Sequence, residues 1–99
     1  MKKCASLLST GQAEAIALQA LAFLAHEPAR LSRFISLTGI GAADLKATAE
    51  RCDTLAAVLD HVLHDESLLL EFTSNHAISP EIIAPAHAVL AGAAGQEGL

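Results

Sequence analysis

Residues 13–25 read AEAIALQALAFLA, and this stretch decides the fold. Alanine and leucine are strong helix formers, so the stretch predicts one helix of several turns. Ser9 and Gln12 stand where a capping box would open that helix. Gln12, Gln19 and His26 recur every seven positions and leave one thin polar stripe. A helix that is apolar around most of its circumference either lies at the centre of a bundle or contributes to a subunit interface.

Start and stop signals along the rest of the chain predict further short helices. The signals are Pro28 and Gly39 for the second helix, Gly41 and Asp44 for the third, Asp53 for the fourth, Asp65 for the fifth, and Ser79 to Glu81 with Gly92 for the sixth. In the fourth helix, Asp60, His61 and His64 are expected to face solvent, opposite an apolar face. No run of alternating β-branched residues favours a strand.

We therefore predict an all-α fold, a compact bundle of about five to six short helices in a single domain. The helical domain would occupy residues 11–92, with flexible tails at residues 1–10 and 93–99.

Length and composition narrow the class of protein. At 99 residues, the chain has the size of one ordinary domain. Cys4 and Cys52 are far short of the disulfide framework of a small secreted domain, and polar residues soon after Lys3 interrupt any export signal. The most apolar segment, residues 15–25, falls well below the ~20 residues that a membrane span needs. We expect a cytoplasmic protein that does not bind membranes.

Charge is divided unevenly along the chain. Residues 1–51 hold six Lys and Arg against four acidic residues, which gives +2. No Lys or Arg follows Arg51, and seven acidic residues give the remainder −7, for the overall −5. Such asymmetry predicts polarised surfaces, and it does not indicate a reaction.

Several segments carry a resemblance to a known family. They are Ala-Leu-Gln-Ala-Leu-Ala-Phe-Leu at residues 17–24, Pro28, Arg33-Phe34, Leu37-Thr38-Gly39-Ile40-Gly41, Asp44-Leu45, Val58-Leu59, Asp65-Glu66 and Leu68 to Phe72. With them the chain resembles a family of small uncharacterised bacterial helical proteins, catalogued as domain of unknown function 3572. The resemblance covers most of the chain and implies a small helical protein. It implies no assigned activity, cofactor or site residue.

The segment Leu37 to Gly41 also resembles the hairpin of helix-hairpin-helix DNA-binding modules. In those modules a Gly-apolar-Gly turn directs backbone N–H groups at a phosphate. The candidate residues for this alternative are Arg30, Arg33, Gly39, Gly41, Lys46 and Arg51. The competing interpretation is that Gly39 ends one helix, Gly41 eases the next start, and the cations are solvated or paired with the acidic half. Thr38 and Leu45 depart from the pattern of those modules, and the net charge of −5 opposes DNA.

Metal and thiol chemistry find weaker support in the sequence. His61 and His64 lie three residues apart beside Asp60, but a zinc site needs three or four ligands and no further candidate is apparent. Cys52 lies in line with apolar residues at helical spacing, which favours a buried, inert thiol. We predict no metal, no cofactor and no catalytic activity.

The leading hypothesis is a small helical protein-interaction module, adaptor or regulatory in role, that binds a protein partner or a second copy of itself. The candidate interface residues are Leu18, Leu21 and Phe23 on the first helix, with Asp60, Asp65 and Glu71 on an acidic face that would steer a basic partner. The alternative that the first helix is simply the core remains open. Nucleic-acid binding is the runner-up.

Overall fold

Five α-helices follow one another in the part of the chain that the computed structural model describes, namely residues 9–41, 43–44, 47 and 51–97 without the side chains of residues 94–97. They are α1 (Thr10–His26), α2 (Pro28–Thr38), α3 (Cys52–Leu63), α4 (Glu66–Asn75) and α5 (Ile83–Glu97), and a 3-10 turn at Pro80–Ile82 leads into α5. These ranges contain no strand, and the all-α prediction is confirmed. Ala43, Asp44 and Ala47 are helical, and the remainder of the third predicted helix lies outside the described residues.

Most helix boundaries form at the residues whose chemistry predicts them. The Ser9 hydroxyl accepts from the Gln12 amide at 3.0 Å, and the Gln12 side chain accepts from the Ser9 amide at 2.9 Å, which completes the capping box of α1. Pro28 opens α2, and Gly39 ends it in the left-handed region with φ 77°. The Asp65 carboxylate accepts from the Leu68 amide and caps α4.

Two predicted boundaries are wrong. Arg51, not Asp53, precedes the first residue of α3; Asp53 lies in the first turn, where its carboxylate accepts hydrogen bonds from the Thr54 amide and from Arg51. Gly92 does not end α5, which continues to Glu97. A glycine inside a helix costs only about 1 kcal/mol relative to alanine, so it does not stop a helix that alanines continue.

Helix α3 lies at the centre of the bundle. Eight of its twelve residues are buried, against five of seventeen in α1. It packs against α1 and α5 on one side, while α2 and α4 cover its flanks with Phe34 and Phe72, which are fully buried. The Cα radius of gyration, 13.0 Å, equals the roughly 13 Å of a compact 100-residue domain.

The environment of His61 differs from the prediction. Its side chain was expected to face solvent, yet it is only 8% exposed and its ring meets the Phe34 ring edge-on, with centroids 5.2 Å apart. The reason is that α2 covers the side of α3 that an isolated amphipathic helix would leave open. Asp60 and His64 are exposed, as predicted.

No helix within the described residues combines the length and apolarity that crossing a membrane requires.

Candidate protein-interaction surface on α1

The side of α1 turned away from the bundle carries an apolar strip beside the exposed polar residues Gln12, Gln19 and His26. Ala15, Leu18, Ala22 and Ala25 are all exposed, and Leu18 retains 42% of its surface. Their spacing of three, four and three residues places them on one side of the helix, and we call these four residues the outer face of α1. None of them is charged. The inner side, formed by alanines, Phe23 and Leu24, is buried.

The three candidate residues that the sequence predicts on α1 have different environments. Leu18 lies on the outer face. Leu21 is half-buried and packs against the core, while Phe23 is 7% exposed and belongs to the core itself. Phe23 therefore contributes to the core, whereas Leu18 is exposed on the surface.

A groove continues the outer face toward the C-terminal end of α1. It has a volume of about 410 Å³ and is lined by Ala22, Phe23, His26, Glu27, Arg30, Glu71, Asn75 and His76. Ala22 belongs to both the outer face and the groove, so the two form one continuous surface. A volume of this size is within the range of ligand sites, about 300–1,000 Å³.

The charged side chains of the groove are held over an aromatic floor. The Arg30 guanidinium lies 4.5 Å from the Phe23 ring centroid and forms an ion pair with Glu71. The pair is anchored on its cationic side because a guanidinium is attracted by the face of an aromatic ring.

Aromatic contacts fix the far wall of the groove. The Phe72 ring centroid lies 5.5 Å from that of Phe23 and 4.8 Å from that of His76. Ala77 follows at once with φ 55°, a left-handed conformation that is strained for a residue with a Cβ atom. The end of α4 is therefore held in a defined shape beside the groove.

The three acidic candidates all have partners within the fold. The Asp60 Oδ1 atom lies 3.4 Å from His64 Nδ1 and 3.9 Å from His87 Nε2. Asp65 caps α4, and Glu71 pairs with Arg30. A basic partner would therefore meet carboxylates that already interact with neighbouring side chains.

The residues of the nucleic-acid alternative do not converge on a free phosphate site within the described ranges. Arg30 pairs with Glu71, and the Arg51 Nε atom lies 3.1 Å from Asp53 Oδ1. Asp53 is bound closely enough by Arg51 that its pKa lies below the usual range. Arg33 is exposed on α2, Gly41 is half-buried, and Lys46 lies outside the described residues.

The turn at Gly39 is also poorly suited to an anion. The Gly39 amide donates to the Ile35 carbonyl at 2.9 Å, and the Ile40 amide donates to Thr38 Oγ1 at 3.3 Å. These two donors are therefore used to end α2. Asp44 and Asp53 line the cavity at this turn, and their carboxylates would repel a phosphate.

The described residues do not form a metal site, and the one cysteine among them is buried. Among the described residues, no group of three or more His, Cys, Asp or Glu side chains is arranged to hold a metal ion. The Cys52 thiol is 4% exposed and contacts Glu14 Oε2 at 3.7 Å.

Comparison with protein families gives one result. Residues 10–93 match the family described as "Protein of unknown function (DUF3572)". The chain belongs to this family. The match extends from the start of α1 into α5 and confirms the resemblance carried by the sequence segments, but the description assigns no activity. Comparisons with curated proteins and with solved structures found no match.

Part of this surface was not predicted from the sequence. Ala15, Ala22 and Ala25 repeat with Leu18 at helical spacing, and that spacing could have indicated the outer face. Asn75 and His76 carry no comparable signal, because only the tertiary fold brings the end of α4 beside α1.

Proposed function

We propose that the protein is a small cytoplasmic interaction module, adaptor or regulatory in role and without catalytic activity, which binds a protein partner through the outer face of α1 and the adjoining groove. The observation that carries this proposal is the exposure of Leu18 within the outer face of α1, which the exposed polar residues Gln19 and His26 border. Contiguous exposed apolar surface on a small protein is typical of interaction sites.

The arrangement suits a helical partner. An amphipathic helix could place its apolar residues along Ala15, Leu18 and Ala22, because small side chains allow two helices to approach closely. Arg30 and Glu71 at the groove would then provide polar contacts at the rim. A second copy of the chain is an equally suitable helical partner in this mode.

The proposal can be tested with a matched pair of substitutions. Leu18→Arg places a charge at the centre of the outer face, and Leu70→Arg does the same on α4, where Leu70 is 50% exposed. Both positions have a glutamate four residues earlier, Glu14 and Glu66, of which Glu14 is half-buried beside the Cys52 thiol and Glu66 is exposed. Since both sites are exposed, we expect unfolding free energies within about 0.5 kcal/mol of the parent protein.

Affinity capture from native lysate, with and without nuclease, then gives the decisive comparison. We expect Leu18→Arg to reduce recovery of the bound protein at least about tenfold, as the loss of a central interface residue does, and Leu70→Arg to retain it. Sedimentation of the purified variants shows whether that partner is a second copy.

Equal recovery by the two variants would contradict the proposed surface. If nucleic acid and its binding proteins were recovered only without nuclease, the result would instead favour the helix-hairpin-helix alternative, whose binding to duplex DNA should weaken steeply with salt and be lost in Lys46→Glu.

A further inference from the structure

His61 is a titratable side chain enclosed between three helices. It projects from α3 with 8% of its surface exposed, and its ring is packed edge-on against Phe34 of α2. One cavity, of about 180 Å³, lies between it and the start of α4, and another, of about 240 Å³, lies between it and the end of α2. Within the described residues, no protein group forms a hydrogen bond with its imidazole.

Phe34 is also the anchor of α2. Of the eleven residues of this helix, all of them described, Phe34 alone is buried, and it is fully so. Leu31 and Ile35 are only partly buried against the core. The helix ends at Gly39 in the left-handed conformation. The contact between Phe34 and His61 therefore contributes much of what holds α2 against α3.

We propose that α2 is an acid-released element of the fold: when His61 takes up a proton, α2 and Phe34 separate from α3 while the remaining helices stay packed. An imidazolium buried against a phenyl ring without a hydrogen-bond partner is costly, and separation of α2 returns it to water. The proposal does not rest on the proposed interaction surface, because Phe34 and His61 do not line it, although Arg30 of α2 does and would leave the groove when α2 separates.

The charges around His61 favour the neutral ring. Burial lowers its pKa below the usual 6.5, and the Arg33 guanidinium on α2 lowers it further. Asp65 at the start of α4 and Asp60 on α3 act in the opposite direction, and His64 adds a smaller lowering. Arg30 and Glu71 line the same cavity as a mutual ion pair.

Hydrogen exchange measured by NMR, corrected for intrinsic exchange rates, tests the release of α2. The proteins are the parent chain, His61→Gln and the control His64→Gln, which alters the exposed histidine one turn away. Because opening of α2 would take up one proton, we expect protection of its amides to fall by up to about tenfold per pH unit below roughly pH 6.5 in the parent and the control. Amides of α3 and α5 should keep their protection, and His61→Gln should show no such fall in α2.

Two results would overturn the proposal. One is an equal loss of protection in α2, α3 and α5, which would mean global unfolding. The other is an unchanged pH dependence in His61→Gln. Should that variant fail to fold, the ring resonances of His61 in the parent protein decide: a midpoint below 6.5, with α2 resonances shifting in step, supports the release, whereas a midpoint at or above 6.5 excludes it.

Discussion

At the scale of single residues, two positions share the left-handed backbone region but differ in side chain. Gly39 has φ 77° and Ala77 has φ 55°. A Cβ atom in this region costs about 1–2 kcal/mol. We expect Gly39→Ala to lower the unfolding free energy by about 1 kcal/mol through backbone strain, because the added Cβ would meet no atom within 4 Å. Ala77→Gly should raise it, by up to about 1 kcal/mol, since the same strain is relieved. Urea unfolding followed by circular dichroism measures both, and a destabilised Ala77→Gly variant would contradict the strain.

The sequence reveals one of these two residues and not the other. Gly39 is recognisable because glycine is the usual residue at a helix end in this conformation. Ala77 has no such signal, since the end of α4 is fixed by a tertiary contact of His76 with Phe23 as well as by its contact with Phe72 one turn earlier in the same helix. The burial of His61 is hidden in the same way: a histidine beside Asp60 suggests a solvated face, and only the position of α2 shows that it is covered.

At the scale of elements, α2 has one fully buried side chain, Phe34. Phe34→Ala should lower the unfolding free energy by about 3–5 kcal/mol, as removal of a buried phenyl ring does, and should abolish the protection of α2 amides from hydrogen exchange. Leu37→Ala is the matched control on the same helix, because Leu37 is 65% exposed and its loss should cost less than about 0.5 kcal/mol. Similar losses in the two variants would show that α2 is held along its length instead.

Helix boundaries that depend on local chemistry were predictable. The capping box of α1, the proline that opens α2 and the carboxylate that caps α4 each act within a few residues along the chain. The boundaries at Asp53 and Gly92 were not predictable, because a residue of suitable type can also occur inside a helix when its neighbours continue it. Which helix lies at the centre could not be inferred either: α1 is more uniformly apolar in sequence, yet α3 is the more buried.

At the scale of the whole molecule, the basic and acidic halves of the chain do not form two separate surfaces, because their charged side chains meet in the fold. Arg30 from the basic half meets Glu71 from the acidic half, 41 residues apart, and Arg33 lines a cavity with Asp65. Contacts between residues so far apart along the chain leave no local pattern in the sequence. The prediction of polarised surfaces therefore missed the ion pair between the two halves.

The same balance of charges gives a prediction for global stability. The sequence pI is about 5.4. Acidification from about pH 7.5 to about pH 5.5 therefore brings the net charge toward zero, which by itself should reduce self-repulsion and stabilise the fold. His61 acts in the opposite direction, because its burial, and then Arg33, lower its pKa in the folded protein below 6.5. As the pH falls, the His61 imidazole is protonated in the unfolded chain before it is protonated in the folded protein. The contribution of neutral His61 to the unfolding free energy is therefore complete above pH 6.5 and is lost as the pH falls toward the lower pKa of the folded protein.

We expect the unfolding free energy of the parent protein to fall relative to that of His61→Gln by up to about 1.4 kcal/mol per pH unit over this window. Urea titrations at several pH values measure the difference, in which the general effect of net charge cancels. His64→Gln should follow the parent, because His64 is 76% exposed. Parallel curves for the parent and His61→Gln would contradict the burial of a neutral imidazole at the contact between α2 and α3.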